Sequence, residues 1–288
     1  MTSITLADGR TLDYTDAGGD DPVLLFHHGT PGSRLPMGAM LRAAEQHGLR
    51  LVTYSRAGYG GSTRHAGRSI ADVVPDLVEL LDQLGVDRCV SAGWSGGGPH
   101  VLAMGALVPE RVAGVLSIAG VAPYDAEGLD FLAGMGEDNV IEFGDALAGE
   151  ATLRPLLESE AEEMVGTDAA GLIKAMSTIL PPIDVEHLSD EFGADLAANM
   201  SEGLRDSVDG WLDDDLAFTR PWGFDVSEIT VPVLILYGAS DVLVPRTHGD
   251  WLAAHIPNVT VWVDEDAGHM GDDDQIDREY AWLSGRTA

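Results

Sequence analysis

Val90–His100 reads VSAGWSGGGPH, and the reading of this stretch decides the fold. A short apolar run, Arg88-Cys89-Val90 into Ser91-Ala92, stops at Gly93-Trp94-Ser95-Gly96-Gly97, and a helix-compatible run from Pro99 to Leu107 follows. The pattern is G-x-S-x-G between a strand and a helix, the context in which it forms a tight elbow with the serine at its apex. Ser95 must then take an unfavourable backbone conformation, so the residues two before and two after it cannot carry colliding side chains. Gly93 and Gly97 meet that need. The turn lifts the Ser95 hydroxyl clear of the sheet and sets it at a helix N-terminus, where free N–H groups and the helix dipole favour developing negative charge. With 35 glycines in 288 residues the pattern alone is weak, and its surroundings carry the argument.

Before the elbow, Ser3–Ala7 and Thr11–Thr15 alternate around Asp8-Gly9 and predict a β-hairpin. Val23–Phe26 and Leu49–Tyr54 are continuous apolar runs, the pattern of strands buried on both faces. Glycine-rich loops follow them, HHGTPGSR at 27–34 and RAGYGGS at 56–62. Met37–Gln46 has helical spacing, and Ile70–Leu84 is an amphipathic helix with Ile70, Val73, Val74, Leu77, Leu80, Leu81 and Leu84 on one face. After the elbow comes a buried strand at Val112–Ala119. Alternation then breaks: from about Asp125 to about Glu228 no strand is evident, and the segment is acidic, helix-prone and interrupted at Pro155, Pro181-Pro182 and Pro221. Strand and helix resume with Val231–Tyr237, Arg246–His255, Val259–Val263 and Asp272–Leu283. The expected architecture is α/β, a mostly parallel doubly wound sheet, with a core of 1–124 and 229–288 and a helical cap of 125–228.

Composition narrows the function. A length of 288 residues with 45% hydrophobic content supports one large core. The net charge of −32, from 48 acidic and 16 basic residues, repels phosphate backbones and anionic membranes, so neither nucleic acid nor membrane insertion is expected. A lone cysteine, Cys89, excludes an internal disulfide and a cysteine-based zinc cluster; its place in the apolar strand reads as a buried, inert thiol. The N-terminal residues lack a basic region followed by an apolar core, and no run is long enough to span a bilayer, so a soluble, cytoplasmic protein is expected. Adjacent carboxylates such as Asp213–Asp215 and Asp272–Asp274 do not converge on one ion in a helix, and the first triplet lacks the spacing of a calcium loop, so both read as solvated faces or helix starts and no metal is expected. Nothing in the sequence speaks to oligomeric state.

A serine needs a base to become a nucleophile at neutral pH, and the base needs an acceptor that orients it. Two later loops, each after a strand, offer these: GASDVLVP at 238–245 and DEDAGHM at 264–270. Ser95, Asp241 and His269 stand in the order nucleophile, acid, base. With HHGTPGS at 27–33, RAGYGGS at 56–62, GWSGG at 93–97, YGASDVLVP at 237–245 and AGH at 267–269, the chain resembles the α/β-hydrolase superfamily over nearly its whole length, in the capped, esterase-like branch. The resemblance implies that Asp241 orients His269, that His269 deprotonates Ser95, and that Ser95 attacks an acyl carbon. It also implies an oxyanion hole made by the backbone N–H groups of Thr30 and Gly96, and no cofactor. Asp264 and Asp266 lie near His269 in sequence and Asp125 follows another strand, but Asp241 occupies the position that the resemblance favours.

Four side chains near these motifs, His28, Arg34, Trp94 and Met270, are candidates for a substrate pocket. Core packing serves Trp94 and Met270 equally well, His28 is suited to shaping its loop, and Arg34 either contacts substrate or pins the loop. Epoxide hydrolases and haloalkane dehalogenases share the His28-Gly29-Thr30-Pro31 pattern but use an aspartate where this chain has Ser95, which argues against both activities. Ser55-Arg56 before Ala57 departs from the aspartate that often precedes this turn. The expected activity is hydrolysis of a small ester or related acyl compound, the partner being that small molecule. Perhydrolase, C–C hydrolase, iminopeptidase, lyase or acyltransferase chemistry on the same triad, or a receptor with little turnover, are the alternatives.

Overall fold

The computed structural model describes residues 2–19, 22–189 and 191–287, with a sheet of eight strands at its centre. β1 (Thr2–Thr5) and β2 (Thr11–Asp16) form the antiparallel hairpin around Asp8-Gly9. The remaining strands are β3 (Val23–His27), β4 (Arg50–Tyr54), β5 (Cys89–Trp94), β6 (Val112–Ile118), β7 (Val233–Gly238) and β8 (Val259–Asp264). Their order is β1-β2-β4-β3-β5-β6-β7-β8, parallel from β4 to β8. The chain enters at β3 in the middle and winds outward in both directions, which brings the carboxyl ends of β3, β5, β7 and β8 to one edge.

Helices α1 (Gly38–Gln46), α2 (Val73–Gln83) and α3 (Gly97–Leu107) join the first parallel strands. Between β6 and β7 lie α4 (Glu137–Ala148), α5 (Glu150–Met164), α6 (Ala169–Ala175), α7 (Pro182–His187), α8 (Glu191–Gly203) and α9 (Asp209–Phe218), with no strand among the described residues there. α10 (Arg246–His255) and α11 (Asp273–Ser284) complete the chain.

Strand periodicity explains why the sheet is covered on both sides. Leu24 and Phe26 of β3 point to the face packed by Met40 and Ala43 of α1 and Tyr280 and Leu283 of α11. Val23 and Leu25, one residue out of phase, pack with Leu77 of α2, Val101 of α3 and Leu252 of α10 on the other face. Each such side chain, withdrawn fully from water, contributes about 1.5–3 kcal/mol.

Two expectations about the insertion are corrected. Pro155 does not interrupt a helix but lies inside α5. Its missing N–H gives up one i→i−4 bond, to the Ala151 carbonyl, and the other turns of the 15-residue helix carry the loss. Asp213–Asp215 are not a solvated face: all three lie within α9, a helix buried from Gly210 to Phe218, and none is more than 1% exposed. The second triplet behaves as expected, with Asp272 accepting the Gln275 N–H at the start of α11 and Asp273 and Asp274 exposed.

Candidate active site

The elbow between β5 and α3 has the geometry its sequence requires. Ser95 sits at φ 54°, a left-handed conformation that side chains rarely adopt. A Cβ on Gly93 would collide with the Gly97 carbonyl, and one on Gly97 with the His27 carbonyl, so only glycine fits at either place. The Ser95 N–H donates to the Ile118 carbonyl at 2.8 Å, and the Gly98 N–H donates to the Ser95 carbonyl at 2.8 Å. From Cys89 to His100 every residue is buried except Ser95, which is half-buried.

Loops after β7 and β8 bring an acid–base pair to the same edge. His269 Nδ1 and Asp241 Oδ2 are 2.7 Å apart, both residues buried. The other Asp241 oxygen accepts the N–H groups of Leu243 and Val244 at 2.8 and 2.9 Å, which fixes the carboxylate. Burial pulls the His269 imidazole down, and the charge and hydrogen bond of Asp241, with the charge of Asp184 behind it, more than reverse this and leave it raised above 6.5. Asp184, on α7, accepts the backbone N–H groups of His269 at 2.9 Å and Met270 at 3.0 Å. A helix of the insertion therefore ties down the loop that carries His269. No hydrogen bond joins Ser95 to His269 in the resting geometry, a contact that unliganded sites often leave loose.

Thr30 and Gly96 meet on the other side of Ser95. A Cβ on Gly96 would strike the Thr30 hydroxyl, so the Gly96 backbone packs directly against the Thr30 side chain. Among the described residues, neither the Gly96 nor the Thr30 amide N–H has an acceptor. Arg56, 1% exposed, organises this loop. Its Nη1 donates to the His28 carbonyl, and its Nη2 donates to the Gly29 carbonyl at 2.8 Å and to Thr30 Oγ1 at 3.0 Å. His28 contributes through both ring nitrogens: Nδ1 bonds the Gly29 carbonyl at 2.6 Å and Nε2 accepts the Arg56 N–H at 3.0 Å. Burial and the nearby Arg56 charge hold this imidazole well below its usual range, neutral and able to accept.

Opposite Arg56 stands Asp214 of α9, fully buried. Its Oδ2 accepts from Arg56 Nη2 and Thr30 Oγ1 at 2.6 Å and from the Tyr59 hydroxyl at 2.8 Å; its Oδ1 accepts from Arg68 Nη2 at 2.5 Å. Burial would raise this carboxyl, but the two guanidiniums reverse the effect and hold it well below 3.8.

A cavity of about 250 Å³ opens over Ser95, Gly96 and Thr30, roofed by α4, α5 and α9. The four side chains expected in a substrate pocket do not line it. His28 is locked within the loop as described. Arg34 points away, Nε to Asp13 at 3.2 Å, Nη1 to Thr15 at 3.1 Å and Nη2 to Glu202 at 3.2 Å, so it pins its loop. Trp94 lies beside His269, with ring centroids 5.3 Å apart and its indole N–H donating to the His269 carbonyl at 3.2 Å. Met270 is 1% exposed and packs in the core. His269 also lies outside the cavity lining.

The family model described as the alpha/beta hydrolase fold matches residues 22–274. The chain belongs to the α/β-hydrolase fold family. Hydrolase YcgS of Bacillus subtilis is 26% identical over 276 residues, 91% of this chain and 89% of its own. A bifunctional esterase/perhydrolase of Acinetobacter calcoaceticus is 34% identical over 126 residues, 43% of this chain and 46% of its own. Among solved structures, a thermophilic esterase from Thermogutta terrifontis superposes with a TM-score of 0.66 at 23% identity, covering 100% of this chain and 99% of that one, a likeness of fold.

Three residues of this α/β hydrolase escaped the sequence reading: Arg56, Asp184 and Asp214. For Asp214 a signal existed, since WLDDDLAF sets the triplet among residues suited to a buried helix. Asp184 had none, because its contact spans 85 residues to His269. Among the described residues no group of three His, Cys, Asp or Glu could hold a metal ion, and no helix is long and apolar enough to cross a membrane.

Proposed function

We propose that this α/β hydrolase cleaves a small carboxylic ester through an acyl-enzyme on Ser95. The observation that carries the reading is the left-handed Ser95 facing a cavity, with a buried Asp241–His269 pair on the neighbouring loops. His269 takes the Ser95 proton as Oγ bonds to the ester carbon, and the carbonyl oxygen becomes an oxyanion. The Thr30 and Gly96 amides donate to that oxyanion; removal of one such donor costs about 2.7–4 kcal/mol of barrier. His269 then gives its proton to the leaving alcohol as the C–O bond breaks. Water, deprotonated by His269, attacks the acyl carbon, releasing the acid and restoring Ser95. The helical insertion roofs the cavity as a cap, excluding bulk water and limiting substrate size; about 250 Å³ sits at the low end of small-molecule sites.

Steady-state hydrolysis of p-nitrophenyl acetate, butyrate and octanoate, with Ser95→Ala in parallel, tests this. Multiple turnovers abolished by the substitution support the reading, with the shorter chains favoured. No turnover from folded protein on the whole series refutes it. The likeness to a bifunctional esterase/perhydrolase supports a second reading, attack of hydrogen peroxide instead of water on the same acyl-enzyme. Peracid formed from peroxide and a carboxylic acid, lost with Ser95→Ala, is its assay.

A further inference from the structure

Carboxylates of three helices face the cavity beside Ser95: Asp138 and Glu142 from α4, Glu160 and Glu163 from α5, and Asp215 from α9. Their exposure is graded, from exposed Glu163 through half-buried Glu160, Glu142 and Asp138 to Asp215, which is 1% exposed. Among the described residues no Lys, Arg or His lines this space. The adjacent acids of α9 are neutralised by arginine, Asp213 by Arg64 and Asp214 by Arg56 and Arg68, and only Asp215 of the triplet lacks such a partner. Asp215 Oδ2 is buried, and among the described residues the hydrogen-bonding neighbour of the Asp215 carboxyl is another acid, Glu142, which also accepts from Trp211 Nε1 at 2.6 Å.

A buried carboxylate without a cationic partner is costly, and protonation offsets part of the cost. Burial, with the charge and the hydrogen bond of Glu142, pushes Asp215 well above 3.8, and burial with the neighbouring Glu142, Asp138 and Glu163 raises Glu160 to about 8. Five carboxyl groups and no basic side chain thus face one cavity.

We infer that the cavity takes an acyl substrate bearing a primary or secondary ammonium group, held by Asp215 and Glu142 while its acyl carbon lies at Ser95. This names the substrate class of the hydrolase proposed above and rests on that reading for the bond that is cleaved; the ammonium takes no part in bond making. A buried carboxyl whose hydrogen-bonding neighbour is another acid favours an N–H donor, which a quaternary ammonium lacks. Trp211, Phe143 and Phe218 line the same space and suit an organic cation, while the carboxylates do not form a metal-binding group.

The test is calorimetric titration of the intact protein, wild type and Ser95→Ala, with n-pentylammonium, n-pentanol and pentyltrimethylammonium. It is paired with hydrolysis of methyl 6-aminohexanoate and of its neutral isostere methyl heptanoate. Pentylammonium is expected to bind at least ~10-fold more tightly than pentanol, as a charge-assisted hydrogen bond implies, and the amino ester to show a similar advantage in kcat/KM. In Asp215→Asn and in Glu142→Gln the ratio between charged and neutral ligands collapses toward one. Both variants are expected to melt no lower than wild type at pH 8, which scanning fluorimetry checks, so loss of the ratio is read on folded protein. Pentylammonium binding no tighter than pentanol in the wild type overturns the inference, whatever becomes of the hydrolase reading. Tight pentylammonium binding without cleavage of any ester keeps the cation site and sinks the hydrolase reading. Tighter binding of the trimethyl compound, or displacement of pentylammonium by stoichiometric calcium, also overturns it.

Discussion

Asp214→Asn removes one charge from the junction between α9 and the Thr30 loop and keeps the side chain's shape. The wild-type carboxylate is fully buried and balances two buried guanidiniums, Arg56 at 2.6 Å and Arg68 at 2.5 Å, while Thr30 and Tyr59 donate to it as well. Breaking a buried pair by removing one partner costs about 3–5 kcal/mol, because the remaining charge cannot return to water. At roughly 2–4 °C per kcal/mol in a large domain, the melting temperature falls by about 6–20 °C. The Thr30 hydroxyl loses its acceptor, and on the proposed mechanism, in which the Thr30 amide is an oxyanion donor, its displacement lowers kcat by roughly 10²–10³. Asp213→Asn is the control: its partner Arg64 is 25% exposed and keeps Glu150 and Asp209, so the change costs about 0–1 kcal/mol. Differential scanning fluorimetry and ester hydrolysis read both variants. The folded pKa of Asp214 lies below 3.8, so its contribution is complete above the unfolded value and is lost only as pH falls through the folded one. The gap between wild type and Asp214→Asn therefore stays level from about pH 5 to 8 and narrows below about pH 4. Equal losses for the two variants, or Asp214→Asn with wild-type kcat, would refute this reasoning.

Three further outcomes follow from the same structure. Asp184→Asn removes a charge that helps to raise His269, so the acid limb of the kcat/KM profile moves to lower pH; a purely structural role would lower the rate without moving the limb. Burial raises the Glu279 carboxyl to about 8, so this group favours the folded state at low pH and the benefit is lost as pH rises from the unfolded value toward 8. Glu279→Gln is thus expected to melt higher than wild type at pH 8 and to converge with it near pH 5, and no gain at pH 8 contradicts the assignment. Gly97→Ala drives a Cβ into the His27 carbonyl and is expected to abolish soluble expression, or to lower the melting temperature far more than Gly144→Ala, where the space is open.

What could be read ahead of the structure was local. The apolar runs of β3, β5 and β7 are continuous because both faces of each strand are covered, and Gly93 and Gly97 are dictated by collisions within one turn. Asp241 and His269 follow strand ends in a parallel sheet, where topology alone brings loops together. The insertion obeyed no such rule. Whether Asp213, Asp214 and Asp215 meet water, Arg64, Arg56 or an empty cavity depends on how α9 docks, and helical periodicity does not encode docking. The same limit hid Asp184 and left the role of Arg34 open, since its partners Asp13 and Glu202 come from distant segments.

The central claim is that Ser95 carries the acyl group. Protein mixed with p-nitrophenyl butyrate, quenched in acid within the first turnover and digested for mass spectrometry, tests it most directly. The account predicts a butyryl adduct on the peptide containing Ser95, a matching burst of p-nitrophenol, and the loss of both in Ser95→Ala. Turnover that persists in Ser95→Ala, or an adduct on another residue, would contradict it.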